Sequence, residues 1–240
     1  MEREEQQVQA ADPGEVIMID KPLGWTSFAV VKKLKWAAKY KKIGHAGTLD
    51  PLATGLLICC TGKMTKQIET YQAAEKEYTG TLVLGKTTPS VDLETPFDGE
   101  YPVDHITPEV IEKALAELTG TILQTPPIFS AVKVEGVRAY ELARSGQEAE
   151  IKPKQITITA FELDQSRFPE LDFRIVCSKG TYIRSLVRDF GLLCQSGAYM
   201  KSLRRTRIGE FHIDDAISLE DFVETHRPGS VLYEPRIRPL

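Results

Sequence analysis

The stretch Gly44-His45-Ala46-Gly47-Thr48-Leu49-Asp50-Pro51-Leu52-Ala53-Thr54-Gly55 sets a single carboxylate, Asp50, among three glycines and a proline. Glycine reaches backbone conformations closed to other residues, and a residue before proline is pushed out of the helical region. The run therefore reads as a rigid loop presenting Asp50 to a cleft. The plainer alternative is an Asp-Pro turn whose carboxylate bonds its own backbone.

Outward from this loop the chain alternates short strands and helices. Val16-Ile17-Met18-Ile19-Asp20 reads as a first strand. A helix follows, capped at Thr26 or Ser27, with Val30, Val31, Leu34, Ala37 and Ala38 as its apolar stripe. After the loop, a buried strand at 56–60, a short helix near 63–72 and a strand at 76–86 are expected. Thr107-Pro108-Glu109 has the form of a helix start, with Gly120 as the stop. A further helix is expected at 138–145. Residues 151–163 and 171–178 alternate with period two and should pair, after which Thr181 would cap a helix running to Cys194. Without regular βαβ alternation, the expectation is an α+β fold: a largely antiparallel mixed sheet flanked by helices and loops, with a central active-site cleft.

Composition narrows the class. The chain of 240 residues has 42% hydrophobic and 27% charged residues, an ordinary globular balance. No apolar run approaches a membrane span, and the first residues are acidic rather than basic-then-apolar, so no membrane association and a cytoplasmic location are expected. Cys59, Cys60, Cys177 and Cys194 show no metal-ligand spacing and read as core thiols, so no metal is expected. The net charge is −4, yet the charges are segregated. Residues 30–66 hold eight lysines against Asp50 alone, and 179–207 hold two lysines and five arginines against Asp189. Two basic blocks in an acidic chain mark a localised polyanion site, and Lys39, Lys41, Lys42, Arg204, Arg205 and Arg207 are its candidate RNA contacts.

The opening stretch resembles the catalytic motif of the bacterial TruB family of pseudouridine synthases, Gly-His-x-Gly-Thr-Leu-Asp-Pro-x-Ala-x-Gly, at every fixed position. Further segments are similar to the family in the same order: Lys21-Pro22-Leu23-Gly24-Trp25-Thr26-Ser27, Lys76-Glu77-Tyr78, Gln124-Thr125-Pro126-Pro127 with Ser130-Ala131-Val132-Lys133, Ser178-Lys179-Gly180-Thr181-Tyr182-Ile183-Arg184, and Leu203-Arg204-Arg205-Thr206. The resemblance implies isomerisation of the T-loop uridine of tRNA at position 55, with the T stem-loop as partner and no cofactor. It makes Asp50 the residue that initiates glycosidic cleavage, acting on the base or on the ribose. Arg184 would orient that carboxylate, and Tyr78 would stack on the flipped uracil. His45 would wedge into the RNA stack, with Lys21, Tyr182 and Leu203 supporting the pocket. A base in a helix must be unstacked to be reached, so a wedge has physical work to do.

The domain expectation is an extension at 1–14, a catalytic domain at 15–210 and a short acidic tail at 211–240, with no room for the PUA-type RNA-binding domain that many members carry. A monomer is expected. The competing reading from another class is a tRNA-binding or folding factor on the same scaffold without catalysis.

Overall fold

In Val16–Lys21 (β1) every second residue is buried, so Ile17, Ile19 and Lys21 share one face. Ile43–His45 (β2) and Ala53–Thr61 (β3) follow, and β3 is buried on both faces, as its unbroken run Leu56-Leu57-Ile58-Cys59-Cys60 demands. The strands Lys76–Leu84 (β4), Gly120–Gln124 (β5), Lys154–Arg167 (β6), Glu170–Cys177 (β7), Ala198–Ile208 (β8), Phe211–His212 (β9) and Ile217–Ser218 (β10) complete a ten-stranded sheet. Its order is β10-β1-β3-β8-β4-β7-β6-β5, with β2 on β3 and β9 on β8. Only β1 with β10 and β3 with β8 run parallel. The computed structural model describes residues 13–130, 133–134, 137–138 and 151–226.

Five helices pack on this sheet among the described residues: Ser27–Ala38 (α1), Ile68–Ala73 (α2), Pro108–Leu118 (α3), Ile183–Leu193 (α4) and Leu219–Thr225 (α5). The apolar faces of α3 and α4 close the core over β4, β6, β7 and β8 through Ile111, Leu118, Leu186 and Phe190. Val30, Val31 and Leu34 of α1 meet Phe222 of α5 over Ile17, Ile19 and Leu57. The other side of β3 packs Leu56, Ile58 and Cys60 against Tyr71 and Ile208. All four cysteines are buried free thiols.

The expected α+β architecture and most element positions match. Thr26 is the cap of α1, its hydroxyl accepting from the Ala29 amide at 3.0 Å. Three expectations differ. Strand β8 was not foreseen, because the charged run Lys201-Ser202-Leu203-Arg204-Arg205-Thr206-Arg207 hides its alternation. Thr181 does not cap α4: its hydroxyl donates to Ser178 O at 2.9 Å, and Tyr182 holds the cap position. Residues 211–225 do not hang from the domain as a tail, since β10 pairs with β1 and α5 packs on α1, so residue 210 marks no structural break. The helix expected at 138–145 and residues 1–12 lie outside the described residues, apart from the strand residue Arg138.

Gly55 of β3 lies opposite Arg205 of β8. Its φ is +101°, and a Cβ there would lie 2.3 Å from Arg205 O. Gly24 has a similar φ of +80° with nothing within 4 Å. Gly55→Ala should therefore cost roughly 3 kcal/mol and Gly24→Ala about 1 kcal/mol. Thermal melts should show Tm falling by about 6–12 °C and about 2–4 °C respectively. Equal losses would show that backbone conformation, not interstrand crowding, sets the cost.

Candidate active site

Four independent anchors set the loop that carries Asp50. Ser27, the first residue of α1, donates through its hydroxyl to Leu49 O (3.1 Å) and accepts from Leu49 N (2.8 Å). Gly24 N donates to Pro51 O at 2.9 Å, and Lys21 Nζ reaches the same carbonyl at 3.4 Å. Arg205 Nη2 donates to Gly47 O at 3.1 Å. The turn itself closes from Ala53 N to the Asp50 carbonyl at 3.1 Å, while the carboxylate is directed at Arg184, Oδ2 lying 3.0 Å from Nε.

Arg184 projects from the first turn of α4 and is only 5% exposed. Its Nη1 donates to Ser90 O at 3.0 Å and its Nη2 to Phe129 O at 2.8 Å. A second carboxylate, Asp92, sits 3.8 Å from Nε and is almost fully buried. Asp92 is fixed in turn by the Glu94 amide at 3.0 Å. A buried guanidinium bonded through both Nη atoms and ion-paired through Nε, between two carboxylates, is a rigid element rather than a tether. Val91, between the two 88–92 partners, holds a φ of +63°, which is rare for a β-branched residue and marks a strained turn. Neither Asp92 nor Ser90 was foreseen, because Ser90-Val91-Asp92 reads as ordinary loop sequence.

Around the pair opens a cleft of about 610 Å³, lined among others by Asp50, Lys76, Tyr78, Tyr182, Arg184, Leu203 and Arg205. Period two along β4 sets Lys76 and Tyr78 on one face, and along β8 it does the same for Leu203 and Arg205. The Tyr78 phenol is raised above its ordinary pKa by burial and stays neutral, beside the Arg205 guanidinium. Tyr182 is also raised by burial, and Lys154 Nζ lies 4.9 Å from its ring centre. The buried Gln124 side chain brackets the Tyr182 backbone, accepting from its amide at 2.8 Å and donating to its carbonyl at 3.1 Å. Lys21 is fully buried and donates to Pro22 O at 3.0 Å and Trp25 O at 2.5 Å. Burial lowers its pKa to about 8, against the opposing pull of Asp50.

The structure thus brings Asp50, Tyr78, Arg184, Tyr182 and Leu203 to one cleft and sets Lys21 behind its loop. His45 is at the end of β2, half-buried and outside the cleft lining. Burial, then the Arg205 charge, lowers its pKa below the ordinary imidazole value, so the ring is neutral at neutral pH. The first basic block is exposed at Lys39, Lys41 and Lys42. The second needs correction. Arg205 is 1% exposed, its Nε bonded to Leu56 O at 2.8 Å, so it is an internal brace and not a surface cation. Arg204 forms a two-pronged pair with Asp20 (3.0 and 2.7 Å), and Arg207 pairs with Glu75 at 2.9 Å. Counting charge along the sequence missed these carboxylates, which reach the arginines from elsewhere in the fold. Among the described residues no group of three or more His, Cys, Asp or Glu is placed to hold a metal, and no helix is long and apolar enough to cross a membrane.

The family model for the N-terminal domain of TruB family pseudouridylate synthases matches residues 35–183, and that for the tRNA pseudouridylate synthase B C-terminal domain matches 184–239. The chain belongs to the TruB family. The Asp50 loop falls inside the N-terminal match, and Arg184 is the first residue of the C-terminal one. The TruB-family chain is 54% identical over 217 residues to the tRNA pseudouridine synthase B of Phocaeicola vulgatus, covering 88% of this chain and 92% of that protein. It is 52% identical to the protein of the same name from Flavobacterium johnsoniae, covering 88% and 96%. Among solved structures it is similar to a chain of a Cbf5-Nop10-Gar1 complex, with 32% identity and a TM-score of 0.68. That match covers 88% of this TruB-family chain and about half, 54%, of the solved one.

Lys76 offers a direct check on the cleft's interior. Its ammonium is buried against the end of α2, bonded to Gln72 O and to Ala74 O at 2.5 Å. Burial first, then the Arg205 charge, lowers its pKa from 10.5 to about 8. Between those values the unfolded chain binds the proton and the folded chain does not, so this residue's contribution to stability rises with pH across that window. Urea titrations at pH 7.5 and 9.5 should show the wild type gaining stability relative to Lys76→Met. An identical pH response in the two proteins would show that the lysine keeps its ordinary pKa.

Proposed function

We propose that this chain converts the T-loop uridine of tRNA, position 55, to pseudouridine. The observation that carries the reading is the Asp50 carboxylate, 3.0 Å from a buried arginine at the foot of a cleft, in a TruB-family chain. The reaction is an isomerisation. The bond from N1 of uracil to C1′ breaks, the base turns within the cleft, a bond from C5 to C1′ forms, the C5 proton leaves and N1 regains one. No electrons are gained or lost, so no redox cofactor is called for.

Asp50 initiates the cleavage, and the residues around it do the positioning. Arg184 keeps the carboxylate pointed into the cleft, as the Nε contact requires. The neutral Tyr78 ring offers a flat face for uracil, and Leu203 closes the apolar wall beside it. The reading takes the chain to act as a monomer, and tRNA as substrate supports a cytoplasmic site of action. The exposed lysines 39, 41 and 42 supply attraction for the RNA backbone, and the family motif around His45 supports it as the residue that enters the stack when the target base leaves it.

Release of tritium from tRNA carrying [5-³H]uridine tests the reading, since only C5 chemistry frees the label. The wild type should release one equivalent per target uridine, and Asp50→Asn should release none while still binding tRNA. Binding without release by the wild type would favour the noncatalytic tRNA factor. Arg184→Lys should lose at least about 100-fold in single-turnover rate, because an ammonium cannot serve Asp50, Ser90 O and Phe129 O from one fixed plane. A near-normal rate would show that the orientation of Asp50 does not depend on the guanidinium.

A further inference from the structure

The outer face of α1 combines exposed aromatic rings with lysines. Phe28, Lys32, Lys35, Trp36 and Lys39 are all exposed and fall at i, i+4, i+7, i+8 and i+11, a single stripe along the helix. Phe28 is 73% and Trp36 70% exposed. One exposed aromatic is unremarkable, but two on one stripe, interleaved with three lysines and no acid anywhere in the helix, is a specific chemistry. Trp36 already holds an ammonium against its ring, with Lys33 Nζ 5.0 Å from its centre.

The stripe also begins beside the Asp50 loop. Ser27, the residue before Phe28, is locked to Leu49 in the catalytic loop by two hydrogen bonds. From Phe28 to Trp36 the helix rises about 12 Å away from that loop. Lys39 then ends the helix in the left-handed conformation and leads through Lys41 and Lys42 into β2, which returns to the same loop. Segment 30–66 carries eight lysines against one aspartate, a balance that favours a polyanion as partner. Phosphates satisfy the lysines, and the aromatic rings need a flat partner, which a base or a ribose face supplies and a protein's acidic surface does not.

We infer that the Phe28-Lys32-Lys35-Trp36-Lys39 stripe is a second RNA contact, outside the base-binding cleft, that grips the backbone and an exposed base or ribose next to the target loop. This rests on tRNA being the substrate. The lysines supply the salt-dependent part of the affinity, and Phe28 with Trp36 supply a salt-independent part by stacking.

The test uses the full chain and an unmodified tRNA transcript, with affinity measured by fluorescence anisotropy over a range of KCl. Phe28→Ala with Trp36→Ala should weaken binding about tenfold at fixed salt and leave the salt slope unchanged. Lys32→Gln with Lys35→Gln should flatten the log–log slope by about 1.4 to 1.8. Trp36→Phe, which keeps a flat ring, should restore most of the binding lost in Trp36→Ala. Tritium release should fall through KM, with kcat held at saturating tRNA. Wild-type affinity and slope in both double variants, with normal wild-type tritium release, would overturn the inference and leave the proposed function standing. Altered sedimentation of the free protein without any change in tRNA affinity would also overturn it, assigning the face to a second copy of the chain. Failure of the wild type to release tritium would strike the functional reading itself, and this inference with it.

Discussion

One buried guanidinium ties the site together. Arg184 reaches three separate segments: the Asp50 loop through the carboxylate, the 88–92 turn through Ser90 O, and the 125–130 segment through Phe129 O. Each of these segments is irregular, and none has a ladder of its own to hold it. A charge taken out of water must be satisfied on every edge, so the arginine and its partners specify one another. The α4 helix supplies the fixed point, its Phe190 and Leu186 packed into the main core and its cap backbone gripped by Gln124. The sheet positions α4, α4 positions Arg184, and Arg184 positions Asp50, the one carboxylate among the described residues that line the cleft.

A second arginine works from below. Arg205 comes up from β8 between Leu56 O and Gly47 O, and its main chain touches Gly55 closely enough to exclude any side chain there. Its charge lowers the pKa of His45 and Lys76 after burial has done most of the work, and its guanidinium flanks Tyr78. The cleft floor is therefore cationic while its walls are tyrosine and leucine.

Much of this was legible in the residues. Glycines and a proline announced the Asp50 loop because their conformational limits are local, and Val16–Asp20, α1 and α3 were readable because their apolar periodicity is local too. Asp50, Tyr78 and Arg184 came from motif resemblance, and their convergence is a property of sheet order that no local pattern contains. Asp92 was missed because its role depends on a buried partner 92 residues away. Arg205 was misread as a surface cation because adjacent arginines look alike in a count, whereas the period of a strand sends Arg204 to Asp20 and Arg205 inward. The run after residue 210 looked detached for a similar reason: its two-residue strand gains stability only from β1, far away in sequence.

Arg184 holds the Asp50 loop and its neighbours as one unit, and amide hydrogen exchange in Arg184→Met measures that directly. Leu49 N, Ala53 N, Val91 N and Ser130 N are hydrogen-bonded in the three segments that the guanidinium joins. The account predicts that protection at all four falls together, while amides of residues 56–60 in β3 and of β7 keep theirs. Unchanged protection in the Asp50 loop of the variant would contradict it, and would mean that Ser27, Lys21 and Arg205 hold the loop without Arg184.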